Sequence, residues 1–569
     1  MLFCKLRLAR AAAVGIAAVI SSLAAAQIVP LTYWAGYGGN AQHSGQSVFP
    51  GPLTFPALPP AGFPWPWFSF PIDTNPTYTA GVLDIHYGEL GMTATGNLVA
   101  AVRHGVGNPY TIEGHNGGNG NLIWSVTSGY ILPVAATPVE VGPVLLPTGA
   151  RTNAIFKGGQ LGKEPNGVSR PSVVTQFPLS TEVAWPESGG RIAIRANADH
   201  VGASVNVHAF YGDANYLLNS ATFNNTVKVC TPLTAGTDGA IYFGYTVEGP
   251  NPLNLKGGLA VIRPNGQGAF ISAAAMANDP AMTQPQYNGA PAISQDGTRV
   301  YMVVSSGYSG HGYLCAVNTR TFHTMFHVAL MDPFEGTTAT VTSDSTSSPA
   351  IAPDGSIFVG VMEHTYGSNN GRGYMLWFSY DLSVENAPGL YGWDCTPSFI
   401  PFAFIYPPIQ PFIPYWQYQV VMPYNNPAGV GSGTGLNYYA AYDPALVAQN
   451  DANSAMVFVP VEGVLGSTPD PVARGMGFSS AVYPFSTGNA AIDMTNADVF
   501  ATNADGLNYD FRINALSVTM LILNNQPNPP VLNNIAQREL STSTIIGENS
   551  WVYMMHNGRV WASNGLPPP

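Results

Sequence analysis

Ala290-Pro-Ala-Ile-Ser-Gln-Asp-Gly-Thr-Arg-Val-Tyr-Met-Val-Val304 decides the fold, because the same sentence is written three times. The other copies are Thr231-Pro-Leu-Thr-Ala-Gly-Thr-Asp-Gly-Ala-Ile-Tyr-Phe-Gly-Tyr245 and Ser348-Pro-Ala-Ile-Ala-Pro-Asp-Gly-Ser-Ile-Phe-Val-Gly-Val361. Asp238, Asp296 and Asp354 stand 58 residues apart each time. Each copy reads as a short apolar strand, an Asp-Gly turn and a second strand rich in aromatic and β-branched residues. Asp-Gly is expected to supply the positive φ angles of a tight hairpin. A third strand follows in each: Gly258-Leu-Ala-Val-Ile262, Gly312-Tyr-Leu-Cys-Ala-Val317 and Gly373-Tyr-Met-Leu-Trp-Phe378. Short antiparallel strands in a fixed long period are the grammar of a β-propeller blade.

Working outward, residues 543–562 repeat the order with Glu548-Asn549-Ser550 at the turn. Ala501-Thr-Asn-Ala-Asp-Gly-Leu-Asn-Tyr509 resembles a degenerate copy, and 96–102 with 121–126 read as the inner and outer strands of an early blade. The expected fold is all-β, a single propeller over 76–566 with about seven four-stranded blades, six or eight being the alternatives. A closed ring has no free sheet edges. That suits a chain with only 9% charged residues.

Composition agrees. Of 569 residues, 46% are hydrophobic and 11% aromatic, enough for a core, while 62 Gly and 49 Pro mark a turn-rich chain. A net charge of -12 with 20 Lys and Arg argues against nucleic acid as a partner. Residues 1–26 read as a secretory signal: Lys5, Arg7 and Arg10, then an apolar run, then Ala24-Ala25-Ala26. The expected location is therefore periplasmic or extracellular, with no transmembrane span in the mature chain. Cys230, Cys315 and Cys395 lie far apart in sequence and are expected as buried free thiols.

Trp34-Ala-Gly-Tyr-Gly-Gly-Asn-Ala-Gln-His-Ser-Gly45 resembles the opening motif of quinoprotein-type (pyrroloquinoline-quinone-like repeat) propellers, and Gly120-Asn-Leu-Ile-Trp-Ser125 is similar to that repeat's closing strand. The stretches 209–216, 392–397 and 424–426 are similar to secreted bacterial propellers of no assigned activity. The wider family implies quinone-dependent dehydrogenase chemistry. This chain departs from that pattern in lacking an adjacent Cys-Cys pair and a recognisable calcium-binding Glu, Asn and Asp set.

The innermost strands are expected to begin near Thr231, Ala290, Ser348, Thr396 and Thr542. The loops entering them carry Lys228, Tyr287, Asp344, Asp394, Arg538 and Glu539, the channel-rim candidates. The three carboxylates offer hard oxygen ligands for Ca²⁺, or ion-pair partners for Arg538 and Lys228. HExxH and GxSxG motifs are absent, and His323 and His327 read as strand residues too far apart for one metal.

Two segments interrupt the blade grammar. Residues 27–75 form a Pro- and aromatic-rich arm, expected to make no regular sheet because proline removes ladder donors. Residues 397–416 include Phe402, Phe404, Tyr406, Phe412 and Trp416, too apolar for a free loop, so they either pack on the ring or dock a protein or envelope partner. The leading expectation is a secreted binding or scaffold propeller with no cofactor. The alternatives are a quinone- or calcium-dependent oxidoreductase working at the rim, and a lactone or glycan hydrolase.

Overall fold

The computed structural model describes residues 34–35, 37–47, 51, 67–71, 83–86, 90–93, 95–103, 109–131, 133, 144–146, 182–342, 347–393, 395–401, 418–494, 498–504, 508–514, 517–522, 537–541, 544–547, 550–556 and 559–563. Among them, eight antiparallel sheets follow one another along the chain as the blades of a propeller. Blade 1 holds Gly91–Met92, Leu98–Arg103, Tyr110–His115 and Leu122–Thr127. Blade 2 holds Val144–Leu146, Glu182–Glu187, Arg191–Arg195 and Val205–Ala209. Blade 3 opens with Val227–Val229 and Thr234–Ala235, then Ile241–Val247, Gly258–Ile262 and Gly268–Ser272. Blade 4 opens with Gln284–Pro285 and Ala292–Ile293, then Arg299–Ser305, Gly312–Asn318 and Thr324–Ala329. Blade 5 is Ala350–Ile351, Ile357–Val361 and Tyr374–Phe378, with single bridges at Glu385 and Gly389 in place of an outer strand. Blade 6 is Ser398–Pro401, Tyr418–Tyr424, Tyr438–Gln449 and Met456–Leu465. Blade 7 is Ala491–Asp493, Asp498–Thr502, Asn508–Asn514 and Ser517–Ile522, and blade 8 is Thr544–Ile546, Val552–His556 and Arg559–Ser563.

Eight blades therefore replace the favoured seven. The eighth is completed from far upstream, where Trp67–Pro71 pairs with Arg559–Ser563 as its outer strand. This corrects the expectation that the proline-rich arm makes no sheet. An outer strand bonds on one side only, so prolines around it cost no ladder bond. Phe70 of that strand stacks on His115 of blade 1 at 3.9 Å, and Tyr553 of blade 8 donates to the Gly117 carbonyl. The last blade thus meets the first. Nearby, Leu83–His86 runs parallel to Gln537–Ser541.

The turns repeat with the strands. Gly239, Gly297 and Gly355 have φ of 78°, 68° and 86°, whereas their Asp neighbours keep negative φ, so only one residue per turn is left-handed. The aspartate acts through its side chain instead. Asp238, Asp296 and Asp354 each accept from the N–H two residues on, at 3.1, 3.0 and 2.9 Å. This is a type I turn closed by a glycine bulge. The segment 501–509 is not such a copy, since Asp498–Thr502 and Asn508–Asn514 are the second and third strands of blade 7.

Each blade is covered on both faces, which is why its strands read as unbroken apolar runs rather than alternations. In Ile241–Val247, Phe243 and Tyr245 join the core shared with blade 2. Tyr242 joins the core shared with blade 4. Period-two side chains allot alternate residues to alternate neighbours. Where backbones approach closely only glycine fits. A Cβ at Gly360 would overlap the Gly392 carbonyl oxygen.

Candidate functional site

The axis of the ring is where blades bring distant residues together, and here the chain's own residues 34–35 and 37–47 run along their inner edges. Inner strands have one ladder edge facing the axis, with N–H groups that need acceptors. Met92 N–H donates to the Trp34 carbonyl, Ile293 to Ala41, Ile351 to Gln42, Phe399 to Ser44 and Ile492 to Gly45. The lengths run from 2.7 to 3.1 Å. Gln46–Ser47 then pairs in parallel with Ala491–Asp493. Blades 1, 4, 5, 6 and 7 are thus joined to one segment, which seals their inner edges. Its glycines permit the approach. Gly45 has φ 68°, and a Cβ there would collide with Ser398 and the Ala490 carbonyl.

His43 lies at the middle of this plug and is fully buried. Its Nδ1–H donates to the Pro349 carbonyl at 2.7 Å, which leaves Nε2 facing the Thr234 hydroxyl at 3.4 Å. Burial pulls its pKa down to about 4, only partly opposed by the Pro349 bond, so the ring is neutral near pH 7. Tyr37 lies edge-on to it, and its hydroxyl bonds that of Thr396 at 2.8 Å. Around the plug, successive blades clasp one another: Asn288 N–H to the Cys230 carbonyl, Ala290 N–H to Ser348 Oγ and Ser348 N–H to Thr396 Oγ1. Asn489 donates to the carbonyls of both His43 and Pro397. Asn489 Oδ1 and Thr544 Oγ1 find no protein partner, the pattern of groups that hold ordered water.

Of the six rim candidates, the structure brings two together. Lys228 belongs to the opening strand of blade 3, not to a loop, directly opposite Thr246 in the ladder. Thr246 Oγ1 also accepts from the Tyr287 hydroxyl at 3.0 Å. Lys228 is only 4% exposed and Tyr287 6%. Lys228 Nζ donates to the Asn224 carbonyl at 2.6 Å. Burial lowers the Lys228 pKa, with the Glu248 charge opposing it, and burial raises that of Tyr287. The pair is enclosed, and the Tyr287–Thr246 bond ties blade 4 to blade 3 beside Lys228. Arg538 and Glu539 are on the strand Gln537–Ser541, not in a loop, with Arg538 opposite Asp84. Asp344 and Asp394 lie outside the described residues, as do Phe402, Phe404, Tyr406, Phe412 and Trp416.

The chemistry of the donors tests whether a quinone or calcium would fit. Cys230, Cys315 and Cys395 are separate, buried and free. Among the described residues no three His, Cys, Asp or Glu gather around a cation-sized point. The described residues do not furnish the seat that quinoprotein dehydrogenases imply, and no step is assigned to either group. What the residue pattern missed is the plug. Its sequence signal is the small residues and glycines of 34–45, the stretch that also carries the family likeness.

No family model matches the chain, and no curated protein matches it. A europium-containing methanol dehydrogenase aligns with TM-score 0.47 and 10% identity over 92% of this chain and 89% of that one. The quinohemoprotein alcohol dehydrogenase from Comamonas testosteroni aligns with TM-score 0.42 and 12% identity, covering 96% and 82%. BamB from Moraxella catarrhalis aligns with TM-score 0.32 and 12% identity, covering 78% and 98%. Among the described residues no helix is long and apolar enough to cross a membrane.

Proposed function

We propose that this chain is a secreted propeller that works by binding, as a scaffold or capture module, and that it recognises its partners on outer surfaces. The observation that carries this reading is the plug: residues 34–35 and 37–47 run along the inner edges of the blades, where propeller enzymes gather their groups. Secretion is supported by the charged, apolar and small-residue order of residues 1–26. The three thiols are all buried, which protects them outside the cytoplasm.

The docking element in this reading is the uncharged segment 402–417, with Phe402, Phe404, Tyr406, Phe412 and Trp416. It leaves blade 6 after Pro401 and returns at Tyr418, and those two residues face each other in the ladder. A short turn can therefore replace it. The replacement leaves Ser398–Pro401 intact, because it is the inner strand itself, with Phe399 and Ile400 fully buried. Replacing 402–417 with an Asn-Gly turn should leave the thermal midpoint within a few degrees and abolish self-association or envelope co-sedimentation. A large fall in the midpoint would assign the segment to packing. Unchanged association would remove it from docking.

A further inference from the structure

A second surface lies on the opposite side of the chain's blade order from that segment, where blades 2 and 3 meet at their outer edges. His208 of the outer strand of blade 2 rests flat on Gly266, whose Cβ would sit 2.8 Å from the ring. Gly268 lies against the Phe210 backbone so closely that any Cβ would overlap it. Side chains spread from this tight junction and line a cavity of about 550 Å³, within the range of small-molecule sites.

The walls have one apolar and several polar parts. Phe270 is 45% exposed and packs edge-on against buried Phe210 at 5.6 Å, so its orientation is set by the core. Asp213 Oδ1 accepts from Ala209 N–H at 2.7 Å, and Oδ2 takes the Nδ1–H of His208 at 3.0 Å. That bond directs the His208 lone pair, on Nε2, away from the carboxylate. Asn265 and Gln267 add side-chain amides. The lining contains no Lys or Arg and a single carboxylate.

We propose that this groove binds a neutral saccharide. The C–H face of a sugar ring packs on Phe270. Its hydroxyls donate to Asp213 and His208 Nε2 and accept from the amides of Asn265 and Gln267. An anionic ligand would meet the Asp213 carboxylate with no Lys or Arg in the described lining to offset it. Glycosidic cleavage needs two carboxylates flanking the bond, and one is present, so the groove holds its ligand rather than cutting it. The inference names a ligand class for the binding reading at a place independent of residues 402–417, so either can fail without the other.

The test titrates the mature chain by calorimetry with hexamers of glucose, mannose, galactose and N-acetylglucosamine, and with oligogalacturonate as the anionic control. At least one neutral hexamer should bind, Phe270→Ala should weaken it about tenfold or more, and Gln267→Ala should weaken it less. Both positions are exposed, so circular dichroism should be unchanged. No neutral hexamer binding at about 10 mM, binding untouched by Phe270→Ala, or preference for oligogalacturonate would each overturn the proposal.

Discussion

Ser550 stands where blades 1, 3, 4 and 5 place Gly96, Gly239, Gly297 and Gly355. Its φ is 60°, and the two hydrogen bonds of the turn, between Gly547 and Trp551 and between Ser550 and Gly547, are the same. A left-handed residue with a Cβ costs roughly 1–2 kcal/mol. Ser550→Gly should therefore raise the denaturant midpoint by a stability gain of about 1 kcal/mol. Gly297→Ala should lose a similar amount, although nothing lies within 4 Å of the added Cβ. The penalty there is purely conformational.

His43 makes a second prediction at this scale. Its pKa falls from 6.5 to about 4 on folding. Between those values the unfolded chain takes up a proton that the native plug refuses. The stabilisation is complete above pH 6.5 and drains away as pH falls through about 4. Its size is of the order of 3 kcal/mol. Denaturation at pH 7, 5.5 and 4.5 should show a shallower pH slope for His43→Gln than for the native chain. Equal slopes would mean that His43 is not the group responsible.

Among the elements, the long hairpin of blade 6 reaches across to blade 5, where Asn450 and Asn453 bond its loop and one arginine joins the two. Arg372 is wholly buried. It donates to the Asn369 carbonyl and side chain, to Tyr424, to Asn450 at 3.0 Å and to Asp451 at 2.6 Å. Glu363 orders the loop on the other side by accepting from the N–H groups of Gly367, Gly371 and Gly373. Arg372→Ala strips several buried acceptors of their donor and should cost about 3 kcal/mol. Asp451→Asn should cost under about 1 kcal/mol, since that side chain is 58% exposed and the other acceptors remain. Equal losses in equilibrium unfolding would contradict this division.

For the whole molecule, residues upstream of blade 1 do two jobs that can be separated. A chain starting at residue 67 keeps the closing strand and lacks the plug. It should keep the association state of the full chain with a lowered thermal midpoint, because inner-strand N–H groups lose their acceptors. A chain starting at residue 73 also lacks Trp67–Pro71 and leaves an unpaired edge on Arg559–Ser563. Such edges recruit other strands. Light scattering after size exclusion should show assemblies larger than those of the full chain for the second truncation only. Unchanged assembly and unchanged stability in both cases would deny the N-terminal segment its structural role.

The local grammar was legible along the chain. The 58-residue spacing, the Asp-Gly turns and the strand order all follow from short-range preferences that each blade repeats. The buried free thiols followed from cysteine spacing. Tertiary structure alone settled the blade number, the closing strand and the plug. Gly51 bonds Asp493 across 442 positions, and Tyr553 bonds Gly117 across 436. One end of each link is a backbone group that every residue carries, so residue type does not say which position the Asp493 carboxylate or the Tyr553 hydroxyl will reach. The rim candidates divided for the same reason. Lys228 and Tyr287 meet through the ladder position of Thr246, a register that only the packed blades select.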